Sequence, residues 1–168
     1  MPETPGAPSV FDANFERYIG LVADAAVRDN IRDLAGHCRA NKLSLKWCGA
    51  KGLGGNRFTA SYKGKAVLGV SLTEAPVVNI YVAPKASLER TLLEMSEDFC
   101  RLFTENMKKC TGCNPAHGDG ASVTLFWQEH TGLCNVGMME VVNPGAEQTR
   151  VIKDYITRVK RKLEVYYA

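Results

Sequence analysis

Apolar residues recur at helical spacing over the first forty residues. Phe15, Ile19 and Val22 would share one face of a helix that Asp12 caps, and residues 24–40 repeat the same period. The pattern therefore predicts two amphipathic helices at the start of the folded part of the chain.

From residue 43 onwards, apolar positions alternate with polar ones, which is the period of a half-buried strand. Alternation returns at residues 56–62, a short turn signal at Lys63-Gly64 predicts that residues 65–72 pair back as a hairpin, and residues 77–82 follow another turn as a fourth strand. Connections this short cannot cross over a sheet, so these four strands should form an antiparallel meander.

The second half of the chain predicts a helix, two strands and a final helix. An apolar stripe with helical period favours one continuous helix from Ser87 to about Lys109. Residues 123–127 alternate as a fifth strand, residues 133–142 are expected to form a sixth, and the helical period returns after Asn143.

The predicted order of elements is α-α-β-β-β-β-α-β-β-α. A run of strands between helices is typical of an α+β fold, here an antiparallel sheet of about six strands with the helices on one face. Residues 1–10 contain three prolines and little that could be buried. We therefore expect a disordered lead-in at 1–10 and a single domain over 11–168.

Length and composition narrow the class of protein. The chain has 168 residues, of which 45% are hydrophobic and 23% charged, and this balance argues against global disorder. Its apolar runs are shorter than the roughly 18 residues of a membrane helix. The N-terminal sequence lacks the basic and apolar regions of a secretory signal. We therefore expect a cytoplasmic protein with no membrane partner.

Positive charge is concentrated in the last predicted helix. Residues 149–168 carry six basic and two acidic side chains, whereas the whole chain has a net charge of only +3. A nucleic-acid accessory role through Lys160, Arg161 and Lys162 is one hypothesis, because these cations could contact phosphates. Cations are also favoured near the end of any helix, and no base-reading motif accompanies them. The sequence therefore disfavours a nucleic-acid partner.

The most chemically distinctive segment is CTGCNPAH at residues 110–117. Cys110 and Cys113 have the spacing that lets two sulfurs reach one ion across a turn, and His117 could approach the same point. His130 or Cys134, further along the chain, could supply a fourth ligand. A set of four Cys and His ligands suits zinc best, so the sequence predicts a zinc site with a structural role.

Two other roles for the cysteines stay open. Cysteine is among the most buried residue types, so Cys110 could be a core residue like Cys38 and Cys100, which extend predicted apolar stripes. The Cys110 and Cys113 pair, or Cys48, could instead be the nucleophile of a thiol-dependent enzyme. A cysteine pair that follows the end of a helix is poorly placed for that role, because the helix dipole there disfavours a thiolate.

The four-stranded meander followed by a helix, with Trp47 closing the first strand and a Tyr62-Lys63-Gly64-Lys65 hairpin turn, resembles small bacterial α+β families, the YdhG-like and YjbR-like groups. The resemblance covers about residues 26–109 and rests mostly on topology. It implies a small binding module and carries over no catalytic residues.

Together these observations favour a non-enzymatic binding module with a small-molecule ligand. The sequence contains no recognisable Ser-His-Asp triad, HExxH helix or paired-carboxylate motif. It leaves the identity of the ligand and the oligomeric state open.

Overall fold

The computed structural model describes residues 9–48, 56–81, 88–110, 120–134 and 138–166, and for residues 88, 89, 138 and 166 it describes the backbone alone. Within these ranges the helices are α1 (Val10–Ile19), α2 (Ala25–Ala40), α3 (Leu88–Leu93), α4 (Glu97–Asn106) and α5 (Ala146–Tyr166). The strands are β1 (Ser44–Cys48), β2 (Arg57–Tyr62), β3 (Lys65–Ser71), β4 (Val77–Tyr81), β5 (Ala121–Leu125), β6 (Gln128–Leu133) and β7 (Met138–Val142). The predicted α+β class is confirmed.

The main sheet has five antiparallel strands in the order β1-β2-β3-β4-β7, and the predicted meander forms its first four. A separate hairpin pairs β5 with β6. The residues after α4 join the two sheets, because Met107 bridges Met139 in β7 and Lys109 bridges Leu133 in β6. The hairpin therefore extends the sheet beyond its β7 edge.

One face of the main sheet is apolar and packs against the helices. α1 and α2 contact β1, α4 contacts β7, and α5 packs on α2 and α4. The strand residues that face these helices are buried in cross-strand register: Phe58, Ala60, Leu68, Val70, Val78, Ile80, Met139 and Val141. Burial of each large apolar side chain contributes about 1.5–3 kcal/mol, so this face supplies much of the fold's stability.

The helix predicted to run unbroken from Ser87 to Lys109 is two helices in the structure. Ser96 caps α4, since its hydroxyl accepts a hydrogen bond from the Phe99 amide at 3.3 Å. Glu97 and Asp98 add negative charge to the first turn, where the helix dipole favours it. The apolar stripe continues across the break because α3 and α4 bury residues in the same core. Helical period alone therefore missed the boundary.

The predicted fifth and sixth strands are also wrong in their bounds. β5 ends at Leu125, and the chain turns at Phe126 and Trp127, whose φ angles are 51° and 65°. Turns of this kind usually carry Asn or Gly, so two aromatic residues conceal the turn in the sequence. Trp127 is 101% exposed instead of facing the core. The segment predicted as one strand, 133–142, contains the end of β6 and the whole of β7.

The ring of His37 links α2 to α5. Its Nε2 lies 3.0 Å from the Lys153 carbonyl oxygen and 3.1 Å from the Thr157 hydroxyl. Burial lowers the pKa of His37, because a charged imidazole loses hydration there. Lys153 also pairs with Asp33 of α2 at 2.8 Å.

No helix in the described ranges is long and apolar enough to cross a membrane.

Candidate functional site

The face of the main sheet opposite the helices carries a row of mostly polar positions. Lys46, Thr59, Gly69, Asn79 and Glu140 are successive cross-strand partners from β1 to β7. Because side chains alternate along a strand, these positions point away from the buried apolar face. We call this row, with Arg57 and Tyr81 beside it, the polar face.

Arg57 lies over the centre of the polar face, against the backbone of Gly69. A β-carbon at residue 69 would come within 2.9 Å of Arg57 Nη2 and 3.3 Å of the Tyr81 hydroxyl. Arg57 Nη2 donates a hydrogen bond to that hydroxyl. Gly69 thus provides a space in the middle of a strand that any other residue would fill, which is a known reason for glycine in strands.

The positive charge of Arg57 has no counter-charge among the residues that the structure describes. Its Nε is buried without a hydrogen-bond partner. None of the ion pairs in the described ranges includes Arg57. Arg150, by contrast, pairs with both Asp98 and Glu147. A buried N–H donor without a partner, on a side chain that carries an unpaired charge, costs stability and therefore calls for an explanation.

The groups around Arg57 include further hydrogen-bond donors. Asn79 lies opposite Gly69, is 8% exposed, and its amide has no partner in the described part of the chain. Glu140, the carboxylate of the row, is neutralised by Lys108, whose Nζ lies 2.5 Å from its Oε1. The polar face can therefore bind a group that accepts hydrogen bonds.

Helix α5 fixes the strand end that carries Tyr81. The hydroxyl of Tyr155 donates to the Tyr81 carbonyl oxygen at 2.6 Å. The Tyr155 ring stacks on Phe99 with its centroid 4.4 Å away, which holds the hydroxyl in place. The polar face is therefore positioned by contacts that originate in the core on the other side of the sheet.

Cys110, His130 and Cys134, three of the five predicted zinc ligands, lie within the described residues, whereas Cys113 and His117 lie outside them. The Cys110 amide donates to the Gly132 carbonyl oxygen at 2.8 Å, and the Cys134 amide donates to the Lys108 carbonyl oxygen at 2.9 Å. The two cysteines thus sit on adjacent chain segments. By register they share one side of this ribbon, because both neighbour the bridged pair Lys109 and Leu133.

The structure does not bring His130 to these two cysteines. His130 pairs with Val123, and a β-bulge shifts the register so that His130 and Leu133 lie on the same side of the hairpin. Cys110 and Cys134 lie on the other side. The Nε2 of His130 is nonetheless buried without a hydrogen-bond partner. Among the described residues, no three His, Cys, Asp or Glu side chains are grouped to hold a metal ion.

The remaining cysteines differ in their surroundings. Cys38 and Cys100 are core residues, as the apolar stripes indicated, and burial raises the pKa of Cys38 to about 12 and also raises that of Cys100. Such thiols are poor nucleophiles. Cys48 is half-buried, with its Sγ 3.9 Å from the Thr59 hydroxyl, and it bonds to no histidine in the described ranges. The described contacts therefore supply no activated thiol.

The cations of α5 lie mostly next to carboxylates. Lys160 pairs with Glu164 along the helix, and Lys162 pairs with Glu94. Further ion pairs on this helix join Arg150 to Asp98 and Glu147, Lys153 to Asp33, and Arg158 to Asp154. Contacts of this kind reduce the charge available to phosphates and fit the interpretation of a solvated helix.

No family model, curated protein sequence or solved structure matches this chain. The geometry of the chain therefore identifies the site residues.

The sequence carried one signal for these residues, since the polar positions of β2 and β4 alternate with apolar ones. It could not show that Arg57 meets Tyr81, because their contact depends on the register of three strands.

Proposed function

We propose that this chain is a binding domain whose ligand lies on the polar face, in contact with Arg57, Tyr81 and Asn79. The observation that carries the proposal concerns the guanidinium of Arg57. Its Nε is buried without a hydrogen-bond partner, and no carboxylate among the described residues pairs with it. Buried polar groups are nearly always paired in folded proteins. The exceptions are concentrated at functional sites, where a ligand supplies the missing partner.

Binding fits the polar face better than catalysis does. General acid–base or covalent chemistry requires a nucleophile within hydrogen-bond reach of a base. Among the described residues of this face, the hydrogen-bond partner of the Cys48 thiol is the Thr59 hydroxyl, which is not a general base. The resemblance to the YdhG-like and YjbR-like groups that we propose from the sequence would also imply a binding module. The described cysteines are free thiols, as is usual in a reducing compartment, so we place the small-molecule ligand in the cytoplasm.

Nuclear magnetic resonance tests this proposal even while the ligand is unidentified. The ¹⁵N-labelled chain is titrated with a panel of acidic, basic and neutral small molecules. We expect at least one class to shift the amide signals of Arg57, Gly69 and Asn79 while those of the helix-packed face stay unchanged. If no class shifts these signals, or if the shifts scatter over the molecule, the proposal is wrong.

Two glycine substitutions make a matched pair for the same titration. Gly69→Ala places a methyl group against the Arg57 guanidinium and should weaken binding. Gly36→Ala, on α2, meets nothing within 4 Å and should leave binding unchanged. Equal effects of the two substitutions would place the ligand elsewhere.

We also propose a structural zinc site at Cys110, Cys113, His117 and Cys134, without His130, which lies on the other side of the hairpin. The observation in its favour is that a β-carbon on Gly120 would lie 3.1 Å from the Cys110 β-carbon. The two ends of the intervening segment are therefore side by side, next to the strand that leads to Cys134. Bound zinc would close this segment and stabilise the junction of the two sheets.

Metal analysis by mass spectrometry tests the zinc proposal. The expected result for protein purified without chelator is one zinc per chain, lost in Cys113→Ser and kept in Cys48→Ser. Metal-free protein, or zinc that survives Cys113→Ser, would overturn it. Neither result affects the polar face, which shares no residue with the zinc ligands.

A further inference from the structure

We infer that the ligand of the polar face carries a carboxylate group, bound by Arg57 with Tyr81 and Asn79 as additional donors. This inference rests on the proposed function and names the chemical class of its ligand.

The hydrogen-bond inventory of the site favours an acceptor. The Tyr81 hydroxyl already accepts a hydrogen bond from Arg57 Nη2, so its own proton is left to donate to another group. The Asn79 amide, opposite Gly69, brings two N–H donors beside its acceptor oxygen, and it has no hydrogen-bond partner among the described residues. Arginine itself only donates. These three side chains together therefore match an oxyanion.

The charge of the site favours a monoanion. Arg57 contributes one positive charge, and the Lys108 and Glu140 pair is neutral. Lys46, at the edge of the row, is exposed, so solvent and salt screen most of its field. A carboxylate would balance the Arg57 charge, whereas a dianionic phosphate would leave excess negative charge in a half-buried site.

The shape of the site favours a planar group. The Arg57 guanidinium is in close contact with the backbone of Gly69, because residue 69 has no β-carbon to displace it. A guanidinium is planar and carries parallel N–H donors, whose spacing fits the two oxygens of a carboxylate. Gly69 is therefore a positioning residue for Arg57.

The test is a titration of the ¹⁵N-labelled full chain with sodium benzoate, sodium acetate and inorganic phosphate, observed at the Arg57 Nε–H and Asn79 side-chain amide signals. We expect both carboxylates to shift these signals in a saturable way at concentrations up to about 50 mM, the range in which isolated fragments bind. Phosphate at the same concentration and ionic strength should shift them at least tenfold less.

Variants assign the effect to residues. Arg57→Met keeps most of the aliphatic stem and should abolish the benzoate shift at Asn79. Arg17→Met, which removes the same charge from an exposed position on α1, should leave the shift unchanged. Gly69→Ala should weaken benzoate binding at least fivefold while Gly36→Ala has no effect. The glycine pair is informative even if Arg57→Met alters the fold.

Four results would overturn the inference: no shift with either carboxylate, a shift with phosphate alone, a benzoate shift that persists in Arg57→Met, or equal effects of the two glycine substitutions. If carboxylates fail while neutral or basic molecules shift the polar face, the inference is wrong and the proposed function stands. If no molecule shifts that face, both are wrong.

Discussion

Arg57 and Phe58 are neighbours in β2, yet their side chains lie on opposite faces of the sheet. The two faces differ in whether the buried side-chain atoms have contacts or hydrogen-bond partners. Phe58 is wholly buried, and its ring centroid lies within 6.4 Å of the ring centroids of Phe11, Phe15 and Trp47. Arg57 points to the other side and has a buried Nε that bonds to nothing in the described part of the chain. The apolar contacts of Phe58 need no ligand, whereas the Nε of Arg57 lacks a hydrogen-bond partner among the described residues.

This difference separates the residues that determine the fold from those that we assign to function. Dense apolar packing on the helix side provides stability that a binding face does not need to supply. An incomplete set of hydrogen bonds can then persist on the polar face, because the rest of the fold tolerates its cost. Substitutions on the two faces should therefore differ in their effect on the free energy of unfolding.

The largest expected effect comes from Phe58→Ala. It leaves a cavity beneath α1 and should lower the free energy of unfolding by about 3–5 kcal/mol. Thr59→Ala, at the next residue on the polar face, should change it by less than about 1 kcal/mol. Urea unfolding followed by circular dichroism measures both. A comparable loss for the two variants would remove the distinction between the faces.

A smaller effect is expected for Tyr155→Phe. This substitution tests the link between the two faces of the sheet, because the hydroxyl of Tyr155 in α5 bonds to the strand that carries Tyr81. Loss of its hydrogen bond to the Tyr81 carbonyl should lower the free energy of unfolding by about 1 kcal/mol, while stacking on Phe99 is retained. Tyr18→Phe is the control, since the Tyr18 hydroxyl makes no hydrogen bond among the described residues. If both tyrosine variants unfold like the parent chain, the hydroxyl does not anchor β4.

The smallest effect at neutral pH concerns His37, a polar group on the helix side. Burial lowers its pKa in the folded chain, so the unfolded chain binds the proton more readily. Its contribution is complete above the unfolded pKa of about 6.5 and is lost as pH falls through the folded pKa. His37→Gln should therefore show a flatter fall in the free energy of unfolding between pH 7 and 5. Identical pH profiles for both chains would exclude this role for His37.

The parts of the fold that sequence could predict are those set by local period. Alternation in β1 and β2, with the short turns that follow, predicted the meander, and the helical stripes predicted α1, α2 and α5 within a few residues. The break before α4 escaped because a single capping residue, Ser96, sets it while the apolar stripe runs on. The turn at Phe126 and Trp127 escaped because neither residue is typical of a left-handed backbone.

The candidate site was less predictable than the fold. The spacing of the cysteines predicted a site in the Cys110 segment, because the spacing of metal ligands is a local pattern in the sequence. The polar face combines Arg57, Gly69 and Tyr81 from three strands, so it depends on cross-strand register that no local pattern shows. The close approach of Arg57 to Gly69 is likewise visible only when the strands are assembled.

The free energy of unfolding of Arg57→Met tests the central claim most directly, in a buffer free of carboxylates and phosphate. If Arg57 is an uncompensated charge that awaits a ligand, its replacement by an apolar side chain of similar length should raise the free energy of unfolding by about 0.5–2 kcal/mol. If the hydrogen bond between Arg57 and Tyr81 serves the fold instead, the variant should be less stable by about 1 kcal/mol or more, and that result would contradict the claim.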